Sequence, residues 1–298
     1  MAKKIKKQIG GGLAELPADA RDFSHDAVFG SIRAEALPVG DFIVAPPLVI
    51  KDQGDTDLCT AFATTGASED QEGVILDPVF TFFATKVLVQ KSPDTWGADL
   101  RSACKSHVDF GSLEEEFAPM PASVARSMML DVKIWDEDHK ALAYEHRKNT
   151  FFAVDGPHDL FDNIRMRLWM NRNKMQSVIT GAKWRGSWTD AKDGMIPTEY
   201  EERSTPHAFI IKGQRHFPGE NEPRLIAQLS NGQDVGDKGI FYFPRSVVNA
   251  EFRFGAFMFE DLPRSAVENH LYYGTKVGEG FFSKLWKILS RIIIDKLS

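Results

Sequence analysis

The chain changes character midway, and this change constrains its fold more than any other feature. Up to residue 174 the apolar residues mostly recur at helical spacing, which predicts helices at 59–73, 78–89, 97–108, 121–147 (in two pieces) and 158–174. After that point Ile, Phe, Val and Tyr alternate between glycines, which predicts strands at 176–182, 207–214, 224–231, 239–248 and 251–260. Helices followed by strands predict an α+β protein of two lobes, with a site in the cleft between them.

We expect three parts along the chain. Residues 1–37 form an N-terminal extension, flexible or acting as a pro-segment, with a flexible joint at the three glycines 10–12. Residues 38–262 form the main domain, with a helical lobe at about 48–150 and a β-rich lobe at about 151–262. Residues 263–298 form a C-terminal extension.

The last stretch, "FFSKLWKILSRIIIDKLS" at 281–298, has apolar residues at helical spacing with basic residues mainly between them. This pattern predicts an amphipathic basic helix. Its apolar face can pack on the protein body or on another subunit, or the helix can bind a membrane surface. The sequence leaves these partners open.

Composition excludes several classes of protein. A net charge of -6 gives no reason to expect nucleic acid as a partner. Two cysteines are too few for a disulfide framework or a cysteine-based zinc site, and no HExxH motif is present, so we expect no metal or organic cofactor. The basic N-terminus lacks the apolar run of a signal peptide, and no stretch is long enough to span a membrane. We therefore expect a cytoplasmic protein.

The stretch "LVIKDQGDTDLCTAFA", residues 48–63, carries the first candidate site. Cys59 lies at a predicted helix start, and Gln53 precedes it by six positions. A helix N-terminus favours a thiolate, and an amide N–H can bind the oxyanion of a tetrahedral intermediate. The alternative is that Cys59 is a small core residue of a buried helix. We interpret Cys104, on another predicted helix, as buried structure.

His207 is the candidate base among the eight histidines. It lies in "STPHAFIIKGQ", at the start of a strong predicted strand, where the preceding proline stiffens the entry. Alternation along the strand then fixes the direction of its ring. A lone histidine in such a place is more often structural, but its combination with Gln53 and Cys59 favours a catalytic role.

These residues resemble the signature of the papain family of cysteine peptidases, in which a glutamine precedes the nucleophilic cysteine by the same six positions. The Cys-Thr-Ala-Phe form is closer to the bacterial and viral branch. The resemblance covers roughly residues 38–260, and the separation of Cys59 and His207 also fits papain-like spacing. Further blocks that are similar to the family follow in its order: "GADLRSACKSHVDFGSLEEEFAP", "SWTDAKDGMIP", "TPHAFIIKGQ" and "GDKGIFYFPRSVV".

The sequence departs from the family at the residue that orients the histidine. Alignment of the glycines that follow puts Leu229 where the family has asparagine, and Asn231 where it has tryptophan. Leucine cannot accept a hydrogen bond from imidazole. Positions 229 and 231 face the same side of a strand, so a small register change would let Asn231 reach His207. Gln228 is a weaker substitute because it should face away.

The approach to the cysteine departs as well. Asp57 replaces the first of two small residues of the family, and a carboxylate there would raise the pKa of the thiol. We expect Asp57 to cap the helix; the alternative is that it selects a basic substrate residue. Thr56 stands where the family has a disulfide cysteine, which fits an intracellular protein.

The resemblance implies a papain-like two-lobe fold and hydrolysis of a peptide or protein substrate. Cys59 would attack the amide carbonyl, His207 would act as base and then acid, Gln53 would bind the oxyanion, and Asn231 would orient the histidine. The alternative is a catalytically weakened or inactive module, a pseudoenzyme that serves a larger assembly such as a virion or effector complex. Related thiol chemistry, such as transamidation, is a third hypothesis.

Overall fold

The computed structural model describes residues 11–15, 37–156 and 158–260. The amphipathic helix predicted at 281–298 and most of the N-terminal extension lie outside these residues. Among the described residues, no helix combines the length and the apolar character that a membrane crossing needs.

A central helix, α1 (Cys59–Glu72), begins at the candidate nucleophile and is buried along nearly its whole length. It can lie this close to the sheet because its inner residues are small: a Cβ at Gly66 would already sit 3.3 Å from Ile210 Cδ1. The helix ends at Gly73, whose φ of 72° suits glycine. The predicted helix at 59–73 is confirmed.

Two of the remaining helices, α2 (Pro78–Phe83) and α3 (Leu100–Asp109), pack against α1, whereas the helices after residue 159 pack on the sheet. Asp77 caps α2 by accepting the Val79 and Phe80 N–H groups, at 3.0 and 2.9 Å, as its Asp-Pro sequence predicts. A π-helix at Ala84–Val89 continues α2. The stretch 121–147 contains two helices, as predicted, but both are short. The α-helices after α1 are α2 (Pro78–Phe83), α3 (Leu100–Asp109), α4 (Arg126–Met129), α5 (Glu137–Glu145), α6 (Leu160–Met170), α7 (Gly186–Thr189) and α8 (Arg245–Glu251).

The described strands form one antiparallel sheet in the order β2-β7-β3-β4-β5-β6, and β1 pairs with the end of β4. The five predicted strands are present with shifted ends. The predicted strand at 239–248 is wrong beyond Phe243, because the strand ends before Pro244, which is the N-cap residue of α8. The strands are β1 (Phe42–Ile43), β2 (Thr150–Ala153), β3 (Val178–Arg185), β4 (Ser204–Arg215), β5 (Arg224–Gln228), β6 (Ile240–Phe243) and β7 (Ala256–Glu260).

Three apolar clusters make up the core. One fills the sheet side and is rich in aromatic rings; a second fills the helical side around Phe80, Phe83 and Trp135. The third lies between α1 and the sheet and contains both Cys59 and Cys104. Cys104 is fully buried, as predicted. The candidate nucleophile therefore lies at the junction of the helical and sheet halves of the fold.

Candidate functional site

Cys59 is the first residue of α1 and has no solvent exposure. Its place at a helix N-terminus is the one that the sequence predicts. The helix has no side-chain cap, because the preceding residue is Leu58. The prediction that Asp57 caps this helix is therefore wrong. The buried Asp57 carboxylate instead accepts a hydrogen bond from the Gly97 N–H and pairs with Arg126, so it is already engaged and does not face a basic substrate residue.

His207 lies in β4, opposite Ala182 of β3, and is fully buried. Its Nε2 lies 3.0 Å from the carbonyl oxygen Oδ1 of Asn231. The Trp184 ring packs edge-on against the imidazole, with ring centroids 5.8 Å apart. Burial lowers the pKa of His207 to about 4, against the opposing effect of the Asn231 contact. The imidazole is therefore neutral, with one nitrogen held by an amide oxygen.

The other ring nitrogen, Nδ1, is buried and makes no hydrogen bond with any described residue, the Cys59 thiol included. Because Nε2 meets a carbonyl oxygen, Nε2 carries the proton and Nδ1 has the free lone pair. A neutral imidazole with this tautomer can accept a proton at Nδ1. This arrangement suits a general base that does not yet contact the group whose proton it would accept.

Asn231 reaches His207 because the strand stops early. β5 ends at Gln228, so the residues after it leave strand alternation. Leu229 turns into the sheet core, while Asn231 is fully buried beside the histidine. Gly232, with a φ of 77°, then redirects the chain. The structure thus brings Asn231, and not Leu229, to His207.

Gln53 lies between the loop that precedes Cys59, which we call the cysteine loop, and the segment that carries Asn231. Its Nε2 donates to the Thr56 carbonyl at 2.8 Å, and its Oε1 accepts from the Ser230 hydroxyl at 2.7 Å. Its backbone N–H also donates to the Ser230 carbonyl, at 2.7 Å. These side-chain contacts orient the amide so that its NH₂ group faces the cysteine loop. The NH₂ group has two N–H donors, and only one of them is used by the Thr56 carbonyl. No sequence signal pointed to Ser230, which carries no catalytic group of its own.

Residues 11–15, which we call the cover segment, lie across the site. The segment runs parallel to the chain at Ala98, opposite Leu13. The prediction of a flexible joint at 10–12 is wrong for Gly11 and Gly12, because both are docked by backbone hydrogen bonds. These bonds join Gly11 N–H to Pro206 O (2.7 Å), Ala98 N–H to Gly12 O (3.0 Å) and Ala14 N–H to Ala98 O (3.0 Å).

The fit of the cover segment depends on the Leu13 side chain and on the lack of a side chain at Gly12. Leu13 is only 5% exposed and belongs to the same apolar cluster as Cys59 and Phe254. Gly12 passes so close to the cysteine loop that a Cβ on it would lie 2.3 Å from the Asp57 carbonyl oxygen. A larger residue at position 12 is therefore incompatible with the docked segment.

The covered thiol is held in its neutral form. Burial raises the pKa of Cys59 to about 11, although contacts from the Ala208 backbone, the Thr60 side chain and the Gly12 backbone oppose the rise. The docked segment therefore covers a thiol in its neutral form.

No protein-family model matches this chain, and no curated protein matches it by sequence. Solved structures do match. Xylellain, a cysteine protease from Xylella fastidiosa, is 19% identical with a TM-score of 0.70, and the match covers 88% of this chain and 100% of that one. The structure of proCathepsin B S9 from Trypanosoma congolense is 12% identical with a TM-score of 0.60, covering 85% and 87%.

The bromelain protease from Ananas comosus, solved with the E64 inhibitor, is 14% identical with a TM-score of 0.55, and the match covers 76% of this chain and 100% of that one. Identities this low establish the fold and not the activity. The chain has the papain-like fold, mixed in helix and sheet, as its motifs predict.

Proposed function

We propose that this protein is a papain-like cysteine peptidase in a covered state. Cys59 is the nucleophile, His207 the general base and acid, Asn231 the residue that orients the histidine, and Gln53 an oxyanion donor. The substrate is a peptide or protein. The observation that carries the proposal is the His207–Asn231 contact of 3.0 Å, which holds one imidazole nitrogen and leaves Nδ1 able to accept a proton.

The reaction follows from these positions once the cover segment has left. His207 Nδ1 takes the thiol proton, and the Cys59 sulfur forms a bond to the substrate carbonyl carbon. The carbonyl oxygen becomes an oxyanion, bound by the Gln53 amide and the Cys59 backbone N–H. The C–N bond then breaks as His207 returns its proton to the leaving amine. Water then attacks the resulting thioester and gives a proton to His207. The C–S bond breaks, the carboxylic acid leaves, and His207 returns the proton to the Cys59 sulfur.

The resting state is consistent with latency. A neutral thiol and a neutral imidazole, both fully buried, do not form the charged pair that nucleophilic attack needs. Departure of the cover segment would admit water to Cys59 and remove the main cause of its raised pKa. The helix N-terminus would then favour the thiolate.

A second candidate function is a papain-like module that binds or assembles without catalysis. The complete burial of Cys59 beneath the chain's own residues favours it. The two candidates differ in what uncovering does. A peptidase gains a reactive Cys59, whereas a binding module exposes an inert one.

Labelling with an epoxysuccinyl peptide, followed by mass spectrometry, separates the two. The Gly12→Val substitution forces the cover segment away, because its Cβ would meet the Asp57 backbone. Leu13→Asp does so by placing a carboxylate in an apolar pocket. We expect both variants to be labelled at Cys59 much faster than the wild type. Glu15→Val, at an exposed position of the same segment, is the matched control.

Further substitutions in the Gly12→Val background assign the roles. Replacement of His207 by Ala should lower the labelling rate by about a hundredfold or more, since general base catalysis typically contributes that much. Asn231→Ala should lower it less, because the base remains. A Cys59 that stays unlabelled in both uncovered variants, in folded protein, would contradict the peptidase proposal and leave the binding module.

A further inference from the structure

Residues 95–98 form a ledge beside Cys59 on which an extended chain can pair. Ala98 uses both its N–H and its carbonyl to hold the cover segment, each at 3.0 Å. Gly97 has a φ of 66°, and a Cβ on it would lie 2.5 Å from the Gly12 carbonyl oxygen. The ledge therefore presents backbone groups and admits a second backbone at close range.

Asp57 ties this ledge to the start of α1. It lies two residues before Cys59 and is 2% exposed. Its Oδ2 accepts a hydrogen bond from the Gly97 N–H at 2.9 Å, and the same oxygen pairs with Arg126. One buried carboxylate oxygen therefore connects the cysteine loop, the ledge and helix α4.

Arg126 supports the ledge from the other side. Its Nη2 donates to the Pro93 and Thr95 carbonyls, at 2.8 and 2.6 Å. Its guanidinium lies over the Phe82 ring at 5.1 Å and near the Trp96 ring at 5.7 Å. A planar group with five donors can hold a carboxylate and two carbonyls at once, which an ammonium group cannot do with the same geometry.

Lys86 completes the support from below. Lys86 belongs to the π-helix, and its side chain is fully buried. Its Nζ donates to Thr95 Oγ1 at 2.6 Å and to the Gly97 carbonyl at 2.7 Å. Both backbone groups of Gly97 are thus bound by charged side chains: the N–H by Asp57 and the carbonyl by Lys86. Hydrogen bonds to charged groups are the stronger kind, so the ledge is held in one position.

We infer that Asp57, Arg126 and Lys86 form a brace that positions the ledge for the backbone of a bound peptide, and so sets how the peptide lies against Cys59. The three are positioning residues, since they hold the ledge rather than the reacting atoms. The inference rests on the proposed function for the identity of the bound chain as substrate. Asp57 neither caps α1 nor remains free to bind a substrate cation. In this inference its role is to hold the ledge.

The test compares two thiol reagents in the Gly12→Val background. An epoxysuccinyl peptide must pair with the ledge to react well, whereas iodoacetamide is too small to need it. Asp57→Asn keeps the size of the side chain and an acceptor for Gly97 but loses the charge that Arg126 pairs with. We expect it to lower the peptide reagent's inactivation constant about tenfold, chiefly through weaker binding, the size of effect that loss of a charged hydrogen bond gives. The iodoacetamide rate should stay within about twofold.

Three comparisons sharpen the result. Arg126→Met should repeat the effect, and Arg126→Lys should restore part of the binding because it returns the charge without the planar fork. Glu251→Gln breaks a buried ion pair with Arg185, 2.7 Å long, in the sheet half and should change neither rate. Hydrogen exchange of the full-length chain gives a readout that needs no activity: the Gly97 and Ala98 amides should exchange faster in Asp57→Asn than in Glu251→Gln.

The inference is wrong if Asp57→Asn and Arg126→Met leave the binding of the peptide reagent unchanged, or if they slow both reagents equally. If Asp57→Asn fails to fold, the binding of the peptide reagent is compared instead among the Gly12→Val parent, Arg126→Lys and Arg126→Met. Binding that weakens in that order supports the inference, and equal binding contradicts it. A Gly12→Val parent that reacts with neither reagent would instead contradict the proposed function. The exchange rates of the ledge amides would still test the brace in that case.

Discussion

The two halves of the candidate site are held in place by different kinds of interaction. On the histidine half, aromatic rings surround His207: Trp184 contacts it, and Phe241 and Phe209 pack against Trp184 with centroids 5.1 and 6.4 Å away. On the cysteine half, buried charges fix the surroundings, among them the brace around Asp57 and the Asp70–Lys212 pair of 2.6 Å that joins α1 to β4. Aromatic packing surrounds the base, and buried charges hold the loop and the helix that carry the nucleophile.

This difference predicts different sensitivities. Aromatic packing does not titrate, so the histidine half should depend little on pH and much on side-chain volume. Ion pairs lose their stabilising effect when one partner is removed or neutralised, so the cysteine half should respond to charge. Substitutions that change volume or charge alone can test the division.

Removal of the Trp184 ring should have the largest effect. The side chain is 1% exposed, and Trp184→Ala should lower the free energy of unfolding by about 3–5 kcal/mol, the usual cost of truncating a buried aromatic residue. Denaturant unfolding measures this. Trp96→Ala, at a residue 63% exposed, is the matched control and should cost far less. Equal losses from the two would contradict the role given to packing.

Removal of the Lys212 charge tests the cysteine half. Lys212→Met leaves the buried Asp70 carboxylate with the Ser177 hydroxyl as its remaining partner in the described part of the chain, and should lower the free energy of unfolding by about 3 kcal/mol. The double variant Lys212→Met/Asp70→Leu removes both charges and should recover much of that loss. A double variant as unstable as the sum of its parts would show that shape, and not charge, matters at this junction.

The smallest expected effect concerns His146, at the edge of the helical half. Its two ring nitrogens contact Glu72 and Glu114, and the hydrogen bond to Glu72 is the largest cause that raises its pKa. Lys148 also pairs with Glu72, at 2.6 Å. Burial pushes the pKa of Glu72 up, but its bonds to His146 and Lys148 hold it at about 2.

A histidine whose pKa is raised by folding adds stability below its unfolded pKa and loses it as pH rises through the folded value. Wild type should therefore lose about 1 kcal/mol relative to His146→Gln as pH rises above about 6.5, a value reduced for the solvent that reaches this site. Thermal unfolding between about pH 5 and pH 9 measures the difference, because this window spans the ordinary histidine pKa. Parallel curves for the two proteins would contradict the prediction.

The sequence predicts those parts of the site that depend on local pattern. Cys59 begins a helix because a run of small residues follows it, and His207 lies in a strand because apolar residues follow it, although β4 begins three residues earlier than predicted. The contact between Asn231 and His207 depends on where β5 stops, which is set by turns further along the chain. Strand alternation alone could therefore only suggest it.

Long-range pairing was beyond the sequence. Arg126 reaches Asp57 across 69 positions, and nothing near Asp57 distinguishes this role from a helix cap. The cover segment is short and pairs by backbone groups, which leave no periodic trace. Only Gly12 hints at a close approach, and the run of three glycines equally suggests a flexible joint.

The most direct test of the covered thiol is the rate of iodoacetamide alkylation at Cys59 against pH, followed by mass spectrometry that separates Cys59 from Cys104. The thiolate is the reacting form, so the pH at which the rate rises reports the thiol pKa. We predict that wild type reacts appreciably only as pH approaches about 11, and that Gly12→Val reacts at much lower pH in a manner that depends on His207. Identical profiles for wild type and Gly12→Val, both rising only at high pH, would contradict the account.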